Sequence, residues 1–243
     1  MNIRIFKDHQ ALSHAAALLV IDQIRNKPDS VLCLAAGETQ LVMYQMLAGM
    51  LPHAKVDYSE VHFIGLDEWV GISPANPGSC QALLRHNLLD ALPVKETRIH
   101  LFNALAPDLS SECDKMDGRI KELGGVDLIC VGIGMNGHIG FNEPGTSTGL
   151  RCHVATLDET TRTVGQKYFQ EKTSLTSGIT LGLSYLLEAT TAVLMASKKA
   201  KASIVKRALE GPIEQQVPAS IIQKHRGAII LLDQEAASDL STP

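Results

Sequence analysis

The sequence predicts an α/β fold: a doubly wound, mainly parallel sheet with helices on both faces, of the Rossmann-like kind. Short apolar runs of strand length alternate along the chain with longer segments of helical period. Several of these runs end in polar loops, as strands of an open α/β sheet do at the edge that binds ligands. The chain has 243 residues, of which 45% are hydrophobic, so we predict one domain over residues 1–243.

Two helix–strand pairs open the chain. Residues 11–26 are rich in alanine and leucine at helical spacing, which predicts the first helix. The short apolar run at 31–35 predicts the first strand. Residues 39–51 again have helical spacing, and the apolar run at 61–66 predicts a second strand. Because a helix separates the two strands, they can run parallel in one sheet.

The alternation continues to the end of the chain. Ser79 and Ser111 are candidate N-caps of helices over 79–90 and 111–123. Residues 126–131 have the length and β-branched content of a buried strand. The last predicted elements are a strand over 191–196, a helix over 200–210 and a strand over 228–232. Strands separated by helices in this way form a parallel sheet.

Composition excludes several classes of protein. The formal net charge is −4 and no long basic block occurs, so we expect no nucleic-acid partner. No apolar run reaches the roughly 20 residues of a membrane span, and the opening MNIRIFKDHQ lacks the apolar run of a signal peptide. The five cysteines are widely spaced, without CxxC or HExxH motifs. We therefore expect a reduced, cytoplasmic protein without a membrane or metal partner.

Three of the predicted strands end in loops that carry chemically useful side chains. The loops cover residues 36–39, 67–69 and 132–143. Because the carboxyl ends of parallel strands lie on one side of a sheet, we expect the loops to form one cleft. The third loop combines glycines, which let the backbone approach a ligand, with His138 and Glu143, which can move protons. This combination predicts a catalytic loop, and an ordinary turn with a structural histidine is the alternative.

The first two loops each allow more than one role. Gly37 and Thr39 lie at a strand-to-helix turn, where free backbone N–H groups and a hydroxyl can hold a phosphate. A plain capped turn is the alternative there. Asp67 can act as a base, a cation ligand or a helix cap. The neighbouring Trp69 would shield a carboxylate from water and raise its pKa, unless the segment is only an exposed acidic turn.

Five short motifs occur in order along the chain: LDEWVG, PGSC, GIGMNGHIGFNEPG, TLDETTR and SKKAKA. With them the chain resembles the glucosamine-6-phosphate deaminase/isomerase family along nearly its whole length. The LDEWV, PGSC and NGH–NEPG variants are most similar to the galactosamine-6-phosphate isomerase branch. The resemblance implies aldose–ketose isomerisation with deamination of a 2-amino-2-deoxyhexose 6-phosphate, here galactosamine 6-phosphate to tagatose 6-phosphate plus ammonia. It also implies that no metal or organic cofactor takes part.

The same resemblance implies roles for individual residues. Asp67 matches the aspartate base that moves a proton between C2 and C1 of the open-chain sugar. His138 matches the histidine that assists ring opening, and Glu143 matches the glutamate that works with it. Asn136 occupies the position where glucosamine enzymes carry an aspartate that orients this glutamate–histidine pair. The expected ligands of the 6-phosphate are Gly37, Thr39, Lys167 and Lys199.

Three residues depart from the family pattern. Glu38 replaces a small residue in the phosphate loop, where its carboxylate would repel a phosphate dianion unless it points away or pairs with Lys199 or Lys167. Ala36 replaces a threonine and so removes a hydroxyl donor. Asn136 cannot carry the charge that would stabilise a protonated histidine, although it can still orient the ring by hydrogen bonding.

Three other functions stay open on the sequence alone. A glucosamine-6-phosphate deaminase would differ in which C4 epimer of the sugar it prefers. A non-catalytic sugar-phosphate-sensing module would bind the sugar without turnover, and Glu38 is the residue that favours it. A 6-phosphogluconolactonase would share the glycine loop and its histidine, but would not be expected to carry the LDEW and NEP segments in this form. The sequence is compatible with a monomer or a homo-oligomer.

Overall fold

A seven-stranded parallel sheet forms the centre of the protein in a computed structural model that describes residues 1–241. A second, smaller sheet has three short antiparallel strands. In chain order the strands are β1 (Asn2–Phe6), β2 (Val31–Leu34), β3 (His62–Gly65), β4 (Asp67–Trp69), β5 (Ile99–His100), β6 (Leu128–Gly132), β7 (His153–Thr156), β8 (Ser177–Thr180), β9 (Thr191–Ala196) and β10 (Ala228–Asp233). The predicted α/β fold with a mainly parallel sheet is therefore confirmed.

Helices connect the strands of the large sheet. Within residues 1–241 they are α1 (His9–Asn26), α2 (Glu38–Met50), α3 (Cys80–Asn87), α4 (Leu109–Glu122), α5 (Glu159–Gly165), α6 (Leu183–Glu188) and α7 (Ala202–Glu210). Side-chain caps fix several of their starts. Asp8 and Asp108 accept hydrogen bonds from first-turn N–H groups of α1 and α4, and Ser79 does the same for α3. None of the helices in the described residues has the length and apolar content to cross a membrane.

Both faces of the central sheet are buried, as the alternating side chains of β2 show. Val31 and Cys33 belong to one core cluster, together with apolar residues of α4, α6 and α7. Leu32 and Leu34 belong to the other, together with apolar residues of α1, α2 and α3. All four side chains are at most 2% exposed. Helices therefore cover the sheet on both sides, as a parallel sheet requires.

The order of the strands creates a crevice in the middle of the sheet. Across the sheet the order is β1-β10-β9-β6-β2-β3-β5. From β2 the chain proceeds outward through β3 to β5, then returns to β6 on the other side of β2 and proceeds through β9 to β10. The direction of winding thus reverses between β2 and β6. Open α/β sheets bind their ligands at such a reversal, at the carboxyl ends of the strands.

The sequence analysis does not predict the five strands β1, β4, β5, β7 and β8. Strands β4 and β5 have only three and two residues, too few to establish the alternation that marks a strand, and β1, β7 and β8 lack the continuous apolar run that marks β2. The expected loop at residues 67–69 is wrong, because this segment is strand β4 and pairs with β8, with Asp67 opposite Thr180. The predicted helix over 79–90 ends at Asn87, and residues 89–91 form a separate 3₁₀ turn. These differences change the surroundings of the cleft but leave its place in the sheet unchanged.

Candidate active site

A cleft of about 690 Å³ opens at the carboxyl ends of β2 and β6. This volume lies within the roughly 300–1,000 Å³ of small-ligand sites. All three segments that the sequence analysis assigns to the cleft contribute to it, one of them as strand β4, and α5 and the turn after β9 complete its walls. The predicted site residues that line it are Gly37, Thr39, Asp67, His138 and Lys167. The predicted residues Asn136, Glu143 and Lys199 are not among its lining residues.

Asp67 and Glu68 are adjacent carboxylates of β4 with different surroundings. Glu68 is fully buried, and its carboxylate accepts hydrogen bonds from the N–H groups of Trp69, Cys80 and Gln81 at 2.8, 2.9 and 2.9 Å. Two of these donors begin α3, whose N-terminus favours a negative charge. Asp67 faces the cleft, where burial and the neighbouring charge of Glu68 raise its pKa to about 7. Near neutral pH, Asp67 can therefore both take up and release a proton.

Aromatic rings shield the Asp67 side of the cleft from water. Trp69 lines the cleft and is only 5% exposed. Its ring packs against Phe141 at a centroid distance of 4.6 Å and against Phe169 at 6.0 Å. Gly178 of β8 leaves the room for Phe141, since a Cβ at that position would overlap the ring. The tryptophan of the LDEW motif thus forms a hydrophobic wall beside the acidic pair.

The loop after β6 is folded tightly around its histidine. The N–H of Gly134 donates to the carbonyl of His138 at 2.9 Å. The imidazole lies directly over the glycine backbone, where a Cβ at position 134 would overlap the ring. Asn142 is 1% exposed, and its Nδ2 donates to the carbonyls of Ile139 and Leu181. This buried amide ties the loop to the chain beyond β8 and keeps the imidazole at the cleft.

Three polar side chains lie around His138, and two of them approach its imidazole. Its Nδ1 lies 2.9 Å from the hydroxyl oxygen of Thr161 and 3.5 Å from Oε2 of Glu143. Asn136 donates from Nδ2 to the same Oε2 at 2.9 Å, and its Oδ1 accepts from the N–H of His138. The structure therefore brings the three predicted residues of this loop together. Thr161 is the side chain closest to the ring nitrogen and so takes part in fixing its orientation.

Glu143 is a buried carboxylate that interacts with His138. It is 6% exposed, and its Oε1 has no hydrogen-bond partner in the part of the chain that the structure describes. Burial alone would raise the pKa of Glu143, but the hydrogen bond and charge of His138, with further hydrogen bonds from Thr161 and Asn136, lower it. A charged Glu143 places its carboxylate 3.5 Å from the Nδ1 of His138. It can therefore provide the negative charge that Asn136 lacks.

The other end of the cleft is rich in lysine. Lys167, Lys198 and Lys201 all line it. The Nζ of Lys201 donates to the carbonyl of Ile133 at 2.6 Å. Burial, together with the nearby charges of Lys167 and Lys198, lowers the pKa of Lys201 to about 8. Glu38 accepts a hydrogen bond from Lys167, as one sequence expectation requires, and another from Lys198, which the sequence analysis does not name.

Lys199 lies outside this lysine cluster. Its side chain is 64% exposed, and its Nζ donates to Ser238 and Asp239 at 2.7 Å each. The turn directs Lys198 to the cleft instead, with a φ of +80° that is rare for a residue with a side chain. The N–H of Lys198 donates to the buried Asp233, which holds this turn at the end of β10. A phosphate contact from Lys199 would require its ammonium group to leave Asp239.

Sequence reasoning missed four residues of the cleft. Thr161 and the lysines at 198 and 201 lie within the TLDETTR and SKKAKA motifs, so the motifs were the available signal. The sequence could not tell which lysine faces inward, because that depends on the unusual backbone at Lys198. Gln40 is fully buried, lines the cleft, and has no hydrogen-bond partner for either amide atom within residues 1–241. No sequence pattern marks it.

Comparison with known families identifies the chain. Residues 7–231 match the family described as glucosamine-6-phosphate isomerases/6-phosphogluconolactonase. Over 239 residues the chain is 38% identical to a glucosamine-6-phosphate deaminase of Thermoanaerobacter sp. (strain X514), which covers 98% of this chain and 94% of the relative. Over 241 residues it is 37% identical to that of Clostridium novyi (strain NT), covering 99% and 100%. The chain therefore belongs to the glucosamine-6-phosphate isomerase/6-phosphogluconolactonase family.

Solved structures agree with this assignment. A monomeric glucosamine-6-phosphate deaminase matches with a TM-score of 0.95 at 35% identity, covering 98% of this chain and 100% of that chain. The 6-phosphogluconolactonase from Trypanosoma brucei matches with a TM-score of 0.79 at 18% identity, covering 99% and 98%, which shows a shared fold. The predicted family and the prediction of an amino-sugar-6-phosphate isomerase of the deaminating kind are confirmed. These relatives do not distinguish the galactosamine branch from the glucosamine branch.

Replacing Asp67 by asparagine should stabilise the fold at alkaline pH. The folded protein keeps a proton on this carboxyl up to about pH 7, whereas the unfolded chain releases it near pH 4. The contribution of Asp67 to stability therefore falls as the pH rises from about 4 to 7. We expect Asp67→Asn to gain up to about 4 kcal/mol at pH 8 and almost nothing at pH 4. Urea unfolding at both pH values measures this, and equal effects at the two would contradict the raised pKa.

Removing the hydroxyl of Thr161 should change which ring nitrogen of His138 carries the proton in the neutral imidazole. Thr161→Val keeps the shape of the side chain but deletes the partner 2.9 Å from Nδ1, whereas Thr161→Ser keeps the hydroxyl. Nitrogen-15 NMR of the imidazole reports which ring nitrogen carries the proton. We expect the valine variant to shift the tautomer ratio and the serine variant to match the wild type. Identical spectra for all three proteins would show that Thr161 does not orient the ring.

Proposed function

We propose that the protein isomerises and deaminates a 2-amino-2-deoxyhexose 6-phosphate, with galactosamine 6-phosphate as the preferred substrate and tagatose 6-phosphate and ammonia as products. One observation carries this proposal. A carboxyl with a pKa near 7 and a hydrogen-bonded imidazole face the same cleft, and the other end of that cleft holds three lysines. The relatives named glucosamine-6-phosphate deaminase support the reaction class.

Ring opening is the first task, and His138 suits it. The cyclic sugar opens when a proton leaves the C1 hydroxyl and another reaches the ring oxygen. An imidazole can donate and accept protons near neutral pH. The carboxylate of Glu143 lies 3.5 Å from the Nδ1 of His138, and the hydrogen bonds of Asn136 and Thr161 hold the components in place. His138 therefore acts as the acid and base for the ring oxygen in this proposal.

Proton transfer between C2 and C1 is the second task, and Asp67 suits it. A base removes the C2 proton of the open-chain aldehyde, which gives an enol that still carries the nitrogen at C2. Returning a proton to C1 gives a 2-imino sugar, and water then replaces the imine nitrogen to release ammonia and the ketose. A single carboxyl placed over both carbons can make both transfers. Its pKa of about 7 is well matched to this work, which is typically worth about 10²–10⁴-fold.

The lysine-rich end of the cleft suits the 6-phosphate. The N-terminus of α2 provides N–H groups at Gly37 and Thr39, and Lys167, Lys198 and Lys201 provide positive charge. Binding energy from the phosphate can orient the reacting carbons at the other end. Lys199, the lysine that matches the family pattern, stays a predicted ligand, and it is bonded to Asp239 in this structure.

The preference for galactosamine 6-phosphate rests on sequence motifs. LDEWVG, PGSC and MNGHIGFNEPG, with Asn136 in place of an aspartate, are most similar to the galactosamine branch. The two substrates differ in the direction of one hydroxyl at C4. A cleft that hydrogen-bonds this hydroxyl can discriminate strongly, because the wrong epimer leaves buried polar groups unpaired. The relatives named above favour glucosamine 6-phosphate as the alternative substrate.

Ammonia release from the two epimers tests the proposal directly. We expect a higher kcat/KM with galactosamine 6-phosphate than with glucosamine 6-phosphate under identical conditions. The opposite ranking would contradict the branch and leave the reaction class intact. Binding of both sugars without release of ammonia would indicate a sensing module. Release of acid from 6-phosphogluconolactone, with no ammonia from either amino sugar, would indicate a lactonase.

Lysine substitutions should separate the two candidate phosphate ligands. Lys201→Met removes an ammonium group that lines the cleft, so we expect a higher KM with little change in kcat. In the wild type, KM should rise as the pH passes about 8, because Lys201 loses its charge there. Lys199→Met is the matched comparison. A larger rise in KM for Lys199→Met than for Lys201→Met would show that Lys199 turns to the phosphate when substrate binds.

A further inference from the structure

The carboxylate of Glu38 joins two lysines at the exposed side of the cleft. Its Oε2 accepts a hydrogen bond from Lys167, and its Oε1 accepts one from Lys198. Glu38 begins α2, Lys167 follows α5 and Lys198 follows β9, so three separate segments meet at this one carboxylate. Both ammonium groups are bonded to Glu38, and an external anion can reach them fully only by replacing it.

The same place has the features of an anion-binding site. Gly37 is the N-cap of α2, a helix of 13 residues, and the free N–H groups of such a start attract anions. Lys201 lies at the same end of the cleft, largely buried. Three ammonium groups and one carboxylate leave an excess of about two positive charges, which a phosphate monoester dianion would neutralise.

We propose that Glu38 is a built-in counter-anion that occupies the phosphate position between Lys167 and Lys198 and is displaced by the phosphate of the substrate. The identity of the sugar in this inference rests on the proposed function. The competition between Glu38 and the phosphate rests on the hydrogen bonds of Glu38 to the two lysines. A tethered carboxylate competes at a high effective concentration. An anion without further contacts in the cleft therefore binds weakly, whereas a sugar phosphate gains additional contacts from its sugar.

The consequence is a specificity role for Glu38. Inorganic phosphate and other small dianions lack the sugar, so Glu38 keeps them out of the cleft. The pairs are partly exposed, with 45% of the Glu38 side chain accessible, so each contributes modestly and is sensitive to salt. The carboxylate can therefore be displaced by a ligand that binds along the whole cleft. Glu38 acts on selection among anions and is not itself expected to touch the reacting carbons.

Binding of inorganic phosphate to the full-length protein tests this role. Isothermal titration at low ionic strength compares the wild type with Glu38→Gln, which keeps the size of the side chain and removes its charge. We expect phosphate to bind about two- to tenfold more tightly to the variant, with the gain shrinking as salt is added. Equal or weaker binding to Glu38→Gln would overturn the proposal, because Glu38 would then be neutral or favourable to the anion.

Two further variants make the result specific. Glu159 begins α5 as Glu38 begins α2, and it forms no ion pair within the described residues, so Glu159→Gln should leave phosphate affinity unchanged. An equal gain in phosphate affinity for this control would show that the loss of any negative charge on the protein has the same effect, and it would overturn the proposal. Lys198→Met removes one of the two partners, so adding Glu38→Gln to it should give a smaller gain than in the wild type. A gain of undiminished size would show that Glu38 does not act through Lys198 and would overturn its proposed place between the two lysines.

Phosphate binding requires no turnover, so this test is independent of the reaction. If neither amino sugar released ammonia, the proposed function would fail while the tighter phosphate binding of Glu38→Gln still supported the counter-anion. If ammonia were released but phosphate affinity did not change, the counter-anion would fail and the proposed function would stand.

Discussion

The buried carboxylate of Glu68 is the interaction on which the geometry of the cleft depends. It accepts hydrogen bonds from three backbone N–H groups, one in β4 and two at the start of α3. It thereby joins the small sheet to a helix that covers the large sheet. A buried charge is costly unless it is fully hydrogen-bonded, so this arrangement tolerates little displacement. It fixes β4, and its charge adds to the effect of burial in raising the pKa of Asp67. One side chain thereby fixes the position of its neighbour and contributes to its proton affinity.

The cleft combines a shielded carboxyl with a charged network of lysines. At one end, Trp69 and its aromatic neighbours reduce the access of water to Asp67, and the glycine loop presents His138. At the other end, partly exposed lysines and Glu38 form a charged network. A low-dielectric environment strengthens the interactions that shift pKa values, whereas a solvated one lets an anion exchange. These two environments are the ones that the proposed proton transfer and the proposed phosphate binding require.

The sequence was most informative for long periodic segments and for motifs. Strand β9 coincides with the predicted residues 191–196, because five consecutive apolar residues after Thr191, between helices, leave little choice. Strand β4 has three residues, and its partner Thr180 lies more than a hundred positions after Asp67, so no local pattern marks it. The resemblance led to the cluster around His138. It could not place Lys199, because the direction of that side chain follows from the left-handed backbone of Lys198, which only the fold determines.

Deuterium transfer tests the central claim, that Asp67 moves the proton between C2 and C1, most directly. The protein is incubated with the amino-sugar phosphate in D₂O, and NMR measures deuterium at C2 of the remaining substrate and at C1 of the ketose product. We expect measurable incorporation with the wild type. With Asp67→Asn we expect none, although the sugar phosphate still binds. Incorporation at the wild-type rate in that variant would show that another group moves the proton.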